Sequence, residues 1–171
     1  MTMIGEKAPD WSATTYENGS RGKLSSADLT GSWYVLYWWP FDFTGICNSE
    51  VHGFEALHSA FQELGVRLVG ASCDSFHSHR TWFQSADFND SNRPTHSIVA
   101  DNTHAVTKAF GFYNEAVGCA YRAAVLVSPE GEIKSLTVNH LPVAREPEDI
   151  LTTARAFVKG GGCKLTDRRS L

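Results

Sequence analysis

The sequence predicts an α/β fold in which a mixed central sheet is flanked by helices, and three observations lead there. An unbroken apolar and aromatic run at residues 33–39 reads as a central strand covered on both faces, because a strand with one wet face would alternate. A segment of helical period and a second apolar run at 66–72 follow it, an order of strand, helix, strand that favours parallel pairing through a right-handed crossover. Two late runs, 123–127 and 132–138, flank Pro129-Glu130-Gly131 and read as an antiparallel hairpin.

Between these anchors the elements follow in order. Within 51–64, Phe54, Leu57, His58, Phe61 and Leu64 recur at three- and four-residue spacing and predict one helix face, closed by Gly65. Residues 76–84 predict a helix, 85–94 a polar loop, 97–100 a short strand and 103–110 a helix stopped by Gly111. The last helix, 147–159, opens on Pro147 with Glu148 and Asp149 in its first turn, where a missing N–H and negative charge are both favoured.

A chain of 171 residues fits one domain, expected at 1–159, with 160–171 as a flexible tail that carries Cys163 after Gly160-Gly161-Gly162. The net charge of −4 and scattered Lys and Arg argue against a nucleic-acid partner. No run approaches about 18 apolar residues and no apolar leader opens the chain, so no membrane role is expected. Four widely spaced cysteines without C-x-x-C suit a reducing, cytoplasmic compartment in which cysteines are catalytic or inert. Neither a cofactor nor a metal is expected: no phosphate-binding glycine motif occurs, and His77 and His79, two apart, fall on different helix faces.

Cys47 is the most informative residue. It stands where the strand at 33–39 hands over to a helix, beside backbone N–H groups without helical partners and in the positive end of the helix dipole. That setting suits a sulfur that attacks as its anion; the competing reading is a small buried core residue. The surrounding residues Trp39-Pro40-Phe41-Asp42-Phe43-Thr44-Gly45-Ile46-Cys47-Asn48-Ser49-Glu50 resemble the active-site loop of the peroxiredoxins, alkyl hydroperoxide reductase C type, with Pro40, Thr44 and Cys47 at the family's spacing. Further similarities fall in chain order: Gly5 to Asp10, Asp74-Ser75 with His79 and Trp82, Val99-Ala100-Asp101, Ala120-Tyr121-Arg122, and Thr137 to Arg145.

The resemblance implies a thioredoxin-like fold with the peroxiredoxin elaboration, and reduction of hydrogen peroxide and organic hydroperoxides. By similarity, Cys47 is the nucleophile that becomes a sulfenic acid, and Arg122 holds the thiolate and donates to peroxide. Thr44 offers a hydroxyl that can accept and donate, or a helix cap; Pro40 shields the sulfur; Glu50 pairs with Arg122 and Arg145. Cys163, expected in the partner subunit of a homodimer or larger ring, is the candidate resolving thiol, with Cys119 in reserve and Cys73 read as inert packing. A thioredoxin-like protein is the expected reductant, and Trp38 and Trp39 are expected near Cys47.

Two departures bear on the helix that carries Cys47. Asn48 replaces the family's proline, and the loop at 88–94 lacks a G-G-L-G pattern, so local unwinding toward a resolving thiol should be easier. Three other readings stand beside the main one. A thioredoxin-type oxidoreductase would need a cysteine where Thr44 stands. The others are a one-cysteine peroxidase reduced directly by an external thiol, and a ring-forming chaperone or redox relay.

Overall fold

The computed structural model describes residues 3–160. Its elements run β1 (Ser12–Glu17), β2 (Ser20–Ser25), a 3-10 turn (Ser26–Leu29), β3 (Trp33–Trp38), α1 (Gly45–Ala56), α2 (His58–Glu63), β4 (Val66–Ser72) and α3 (Phe76–Phe83). They continue through β5 (Ser97–Ala100), α4 (Ala105–Ala109), β6 (Tyr113–Asn114), β7 (Cys119–Ala120), β8 (Arg122–Val127), β9 (Ile133–Asn139) and α5 (Pro147–Lys159). Seven strands form one sheet in the order β2-β1-β5-β4-β3-β8-β9. β3 pairs with β4, and β4 with β5, in parallel, whereas β8 is antiparallel to both β3 and β9.

Strand β3 explains why its sequence is apolar throughout. Val35, Tyr37 and the following Trp39 enter one buried layer, while Tyr34, Leu36 and Trp38 enter another. A two-residue side-chain period on a strand covered from both sides demands apolar residues at every position. The first layer also holds Val51, Phe54, Phe61, Trp82, Phe83, Ile150 and Leu151 from α1, α2, α3 and α5; the second holds Val106 and Phe110 around α4.

The expected helix at 51–64 is two helices. Leu57 turns to φ −98 and ψ 0, and its N–H bonds Phe54 O at 3.2 Å, a tighter turn than the α-helix. The break lets α1 pack on α5 while α2 packs on β4. Gly53 is required at the first contact, because an added Cβ would lie 2.9 Å from Pro147 Cγ. The hairpin β1–β2 was not among the elements expected; it turns at Asn18 (φ 45) and Gly19 (φ 93), the left-handed pair that a two-residue hairpin needs.

A further correction concerns the tryptophans. Trp39 lies in the layer that contains Cys47, but Trp38 points through the other face and packs on Phe110 and Phe112 at ring separations of 5.0 and 5.1 Å. Adjacent strand residues cannot both face one site. No helix of the described residues is long and apolar enough to cross a membrane.

Candidate active site

Helix α1 begins directly behind the loop that leaves β3. Thr44 is its N-cap in extended conformation, so Gly45, Ile46 and Cys47 are the first three helical residues. The first bond of the ladder runs from Asn48 N to Thr44 O at 2.9 Å, which leaves the three preceding N–H groups without a helical acceptor. Cys47 is fully buried at this end. Before it, Pro40 is buried, and Phe41, Phe43 and Ile46 are exposed around the approach. Phe43 holds φ at 59, a left-handed conformation that costs a non-glycine residue about 1 kcal/mol.

The charged groups come from α1 itself and from two further segments. Arg122 opens β8, Glu50 sits one turn beyond Cys47 on α1, and Arg145 precedes α5. Arg122 Nη1 lies 3.4 Å from Cys47 Sγ and 2.5 Å from Glu50 Oε2, while its Nε donates to Leu141 O at 2.6 Å. Glu50 Oε1 accepts from Arg145 N at 2.7 Å and from Arg145 Nε at 3.0 Å. Arg145 Nη1 donates to Ala123 O, and the guanidinium lies over the rings of Phe54 and Tyr37 at 5.7 and 5.8 Å. One carboxylate thus binds two guanidiniums, and all three side chains are almost wholly buried. The group carries a net charge of +1 before the sulfur is counted, so a buried thiolate would bring it to neutrality.

Thr44 Oγ1 donates to Phe41 O at 2.9 Å rather than capping α1, which leaves its lone pairs free to accept. Of the residues named from sequence, Cys47, Glu50, Arg122 and Arg145 therefore meet, and Pro40 and Thr44 lie on the loop that leads to them. Cys163 is outside the described residues.

The other two cysteines are shielded. Burial pushes the Cys73 thiol up to about 12, only partly offset by its hydrogen bond to Thr107. Burial likewise raises the Cys119 thiol to about 11, and the nearby Cys47 charge adds to the rise.

One supporting group had no role assigned from sequence. Asp42 accepts from Trp39 Nε1 at 2.9 Å and from Ser78 Oγ at 2.7 Å, and its carboxylate contacts His79 Nδ1 at 2.9 Å. The Asp42 amide in turn donates to Asp74 Oδ2 at 3.0 Å. This network ties the loop before α1 to the start of α3. The signal was an acid inside an apolar stretch, which needs partners when buried. His77 is exposed while His79 is buried on Asp42, so the two point to different surroundings.

Comparisons with known proteins identify the family. The family model described as "AhpC/TSA family" matches residues 4–136. Peroxiredoxin 1 of Brugia malayi is 35% identical over 156 residues, covering 88% of this chain and 67% of the relative. The crystal structure of Enterococcus faecalis AhpC superposes with a TM-score of 0.87 at 30% identity, covering 96% of this chain and 99% of that one. The reduced 2-Cys peroxiredoxin of Plasmodium vivax superposes with a TM-score of 0.88 at 29% identity, covering 96% and 89%. With a thioredoxin-like fold, a family match across most of its length and peroxiredoxins as its relatives, the chain belongs to the AhpC/TSA family and is a thiol-dependent peroxidase of the peroxiredoxin type.

Proposed function

We propose that this protein reduces hydrogen peroxide and organic hydroperoxides through Cys47, and the single observation that carries the reading is Arg122 Nη1 at 3.4 Å from Cys47 Sγ. The thiolate attacks one peroxide oxygen, the O–O bond breaks, and water or an alcohol leaves after taking up a proton. Sulfur is oxidised to the sulfenic acid as peroxide is reduced by two electrons. The planar Arg122 fork is held by Glu50 and Leu141 O, so its donors need no reorganisation as charge moves onto the leaving oxygen. Thr44 accepts a hydrogen bond from the peroxide O–H through its free lone pairs, and Pro40 limits water around the sulfur.

In the second half of the cycle a thiol, Cys163 of a partner subunit, condenses with the sulfenic acid to a disulfide and releases water. A thioredoxin-like dithiol then returns two electrons. Cys47 lies in the first turn of α1, before the ladder begins at Asn48 N, which supports local unwinding to expose it. β9 ends the sheet, which supports a homodimer formed edge to edge, with larger rings built from it.

Two variants test the scheme. Cys47→Ser should abolish peroxide reduction. Cys163→Ser should still consume one equivalent of peroxide but give no disulfide-linked dimer on non-reducing gels and stall with thioredoxin. Normal recycling by Cys163→Ser would instead favour a one-cysteine cycle.

A further inference from the structure

At the far end of α1, two turns beyond Cys47, three metal-binding side chains converge that the peroxidase chemistry does not use. Glu55 is on α1, His58 opens α2, and His96 stands just before β5. One ligand atom from each lies within 4.8 Å of the others. His96 Nδ1 is 2.8 Å from Glu55 Oε2, His58 Nδ1 is 2.9 Å from Thr95 Oγ1, and Thr95 Oγ1 donates to Glu55 Oε1 at 2.6 Å. We propose that Glu55, His58 and His96 form a binding site for one divalent transition-metal ion of the zinc class, with the Thr95 hydroxyl or water in the remaining position.

Four features separate this cluster from an ordinary hydrogen-bonded contact. His96 turns Nδ1 to the Glu55 carboxylate and His58 turns Nδ1 to the Thr95 hydroxyl that donates to that carboxylate, although the two imidazoles come from different elements. His96 is buried and its opposite nitrogen, Nε2, lies 2.9 Å from Tyr37 Oη. A ring fixed from behind is the usual arrangement of a metal-ligating histidine, in which the distal N–H donates to a supporting group. Glu55 has both oxygens oriented toward the cluster: Oε1 accepts from Thr95 Oγ1 at 2.6 Å and Oε2 from Thr95 N at 2.9 Å. Its ion-pair partner among the described residues is His96, with no lysine or arginine in that role.

The ligand set selects the ion. Two imidazoles and one carboxylate suit zinc and its neighbours, whereas calcium and magnesium take oxygen ligands. Tetrahedral bonds of about 2.0 Å place donors about 3.3 Å apart, so the present spacing needs only side-chain adjustment. Access is open: His58, Thr95 and His96 line a cleft of about 400 Å³. The break at Leu57 matters here, because it ends α1 after Ala56 and lets His58 begin a new helix on this cleft.

The test uses the untagged, reduced, full-length chain. Cobalt titration should give the visible bands of a nitrogen and oxygen site without a thiolate-to-metal charge-transfer band, and one equivalent of zinc should displace the cobalt. His58→Ala and Glu55→Gln should each weaken zinc binding at least tenfold while keeping the far-ultraviolet circular dichroism of the parent and its stoichiometric reaction with peroxide. A spectrum carried wholly by thiolate coordination, no binding at 100-fold excess of zinc, or unchanged affinity in both variants would overturn the site.

Discussion

Arg122 reaches Cys47 and Glu50 through the same nitrogen: Nη1 is 3.4 Å from the sulfur and 2.5 Å from Oε2 of the carboxylate. The donor that meets the reacting atom is therefore also the one that the protein clamps. Glu50 is itself held by Arg145, so the position of a single N–H depends on a chain of three buried charges.

Arg122→Met should lower the rate of peroxide reduction about a hundredfold or more, the scale of losing one preorganised donor. Arg122→Lys keeps the charge but loses the planar fork that spans Leu141 O, Glu50 and Cys47, and should also be impaired. Stopped-flow tryptophan fluorescence against peroxide reads both, with Trp39 in the layer that holds Cys47. Near-normal rates in Arg122→Met would remove Arg122 from the mechanism.

Glu50→Gln leaves two buried guanidiniums without their shared anion. Loss of a buried partner is worth about 3 kcal/mol, so urea unfolding should show destabilisation of that order together with a slower reaction with peroxide. A change below about 1 kcal/mol would mean that the pairing is energetically idle.

Cys73 and Cys119, held up to about 12 and about 11, should stay protonated near neutrality. With a thiolate fraction on the order of one in ten thousand for Cys119 at pH 7, alkylation of the native protein should spare both and rise steeply only above about pH 10. Mass spectrometry after brief alkylation at pH 7 and pH 10 checks this. Rapid labelling of Cys119 at pH 7 would restore it as a resolving thiol.

Asp74 supplies a pH test. Burial and the neighbouring Asp42 charge raise its carboxyl above the usual range, so the folded state holds this proton more tightly than the unfolded chain. Its ionisation therefore removes stability as pH rises from the unfolded value through the raised folded one. Asp74→Asn escapes that loss. Relative to the parent, the variant should be more stable at pH 7 than at pH 3.5 in urea unfolding, and a difference that moves the other way would refute the assignment.

Much of the fold was legible because it follows from local periodicity. The unbroken run at 33–39 announced a doubly covered strand, and Pro147 with the acids behind it marked the start of α5 at the residue where it begins. The Asn18-Gly19 pair is a hairpin signal, but the strands beside it are polar and weakly patterned, so periodicity does not mark them. Cys47, Glu50, Arg122 and Arg145 were nameable in advance, the last three only because the resemblance linked segments distant in sequence.

Tertiary structure decided the rest, because the forces involved act between elements that no window of sequence contains together. Packing of α1 on α5 and α2 on β4 broke at Leu57 a helix whose periodicity was continuous. The strand pleat sent Trp38 away from Cys47 and Trp39 toward it, although the two are chemically alike and adjacent. Asp42 found His79, and Glu55 found His96, across 37 and 41 residues. Sequence by itself determined which residue types could bury, turn or react; only the folded chain determined which charges met in a buried setting where each must be paired.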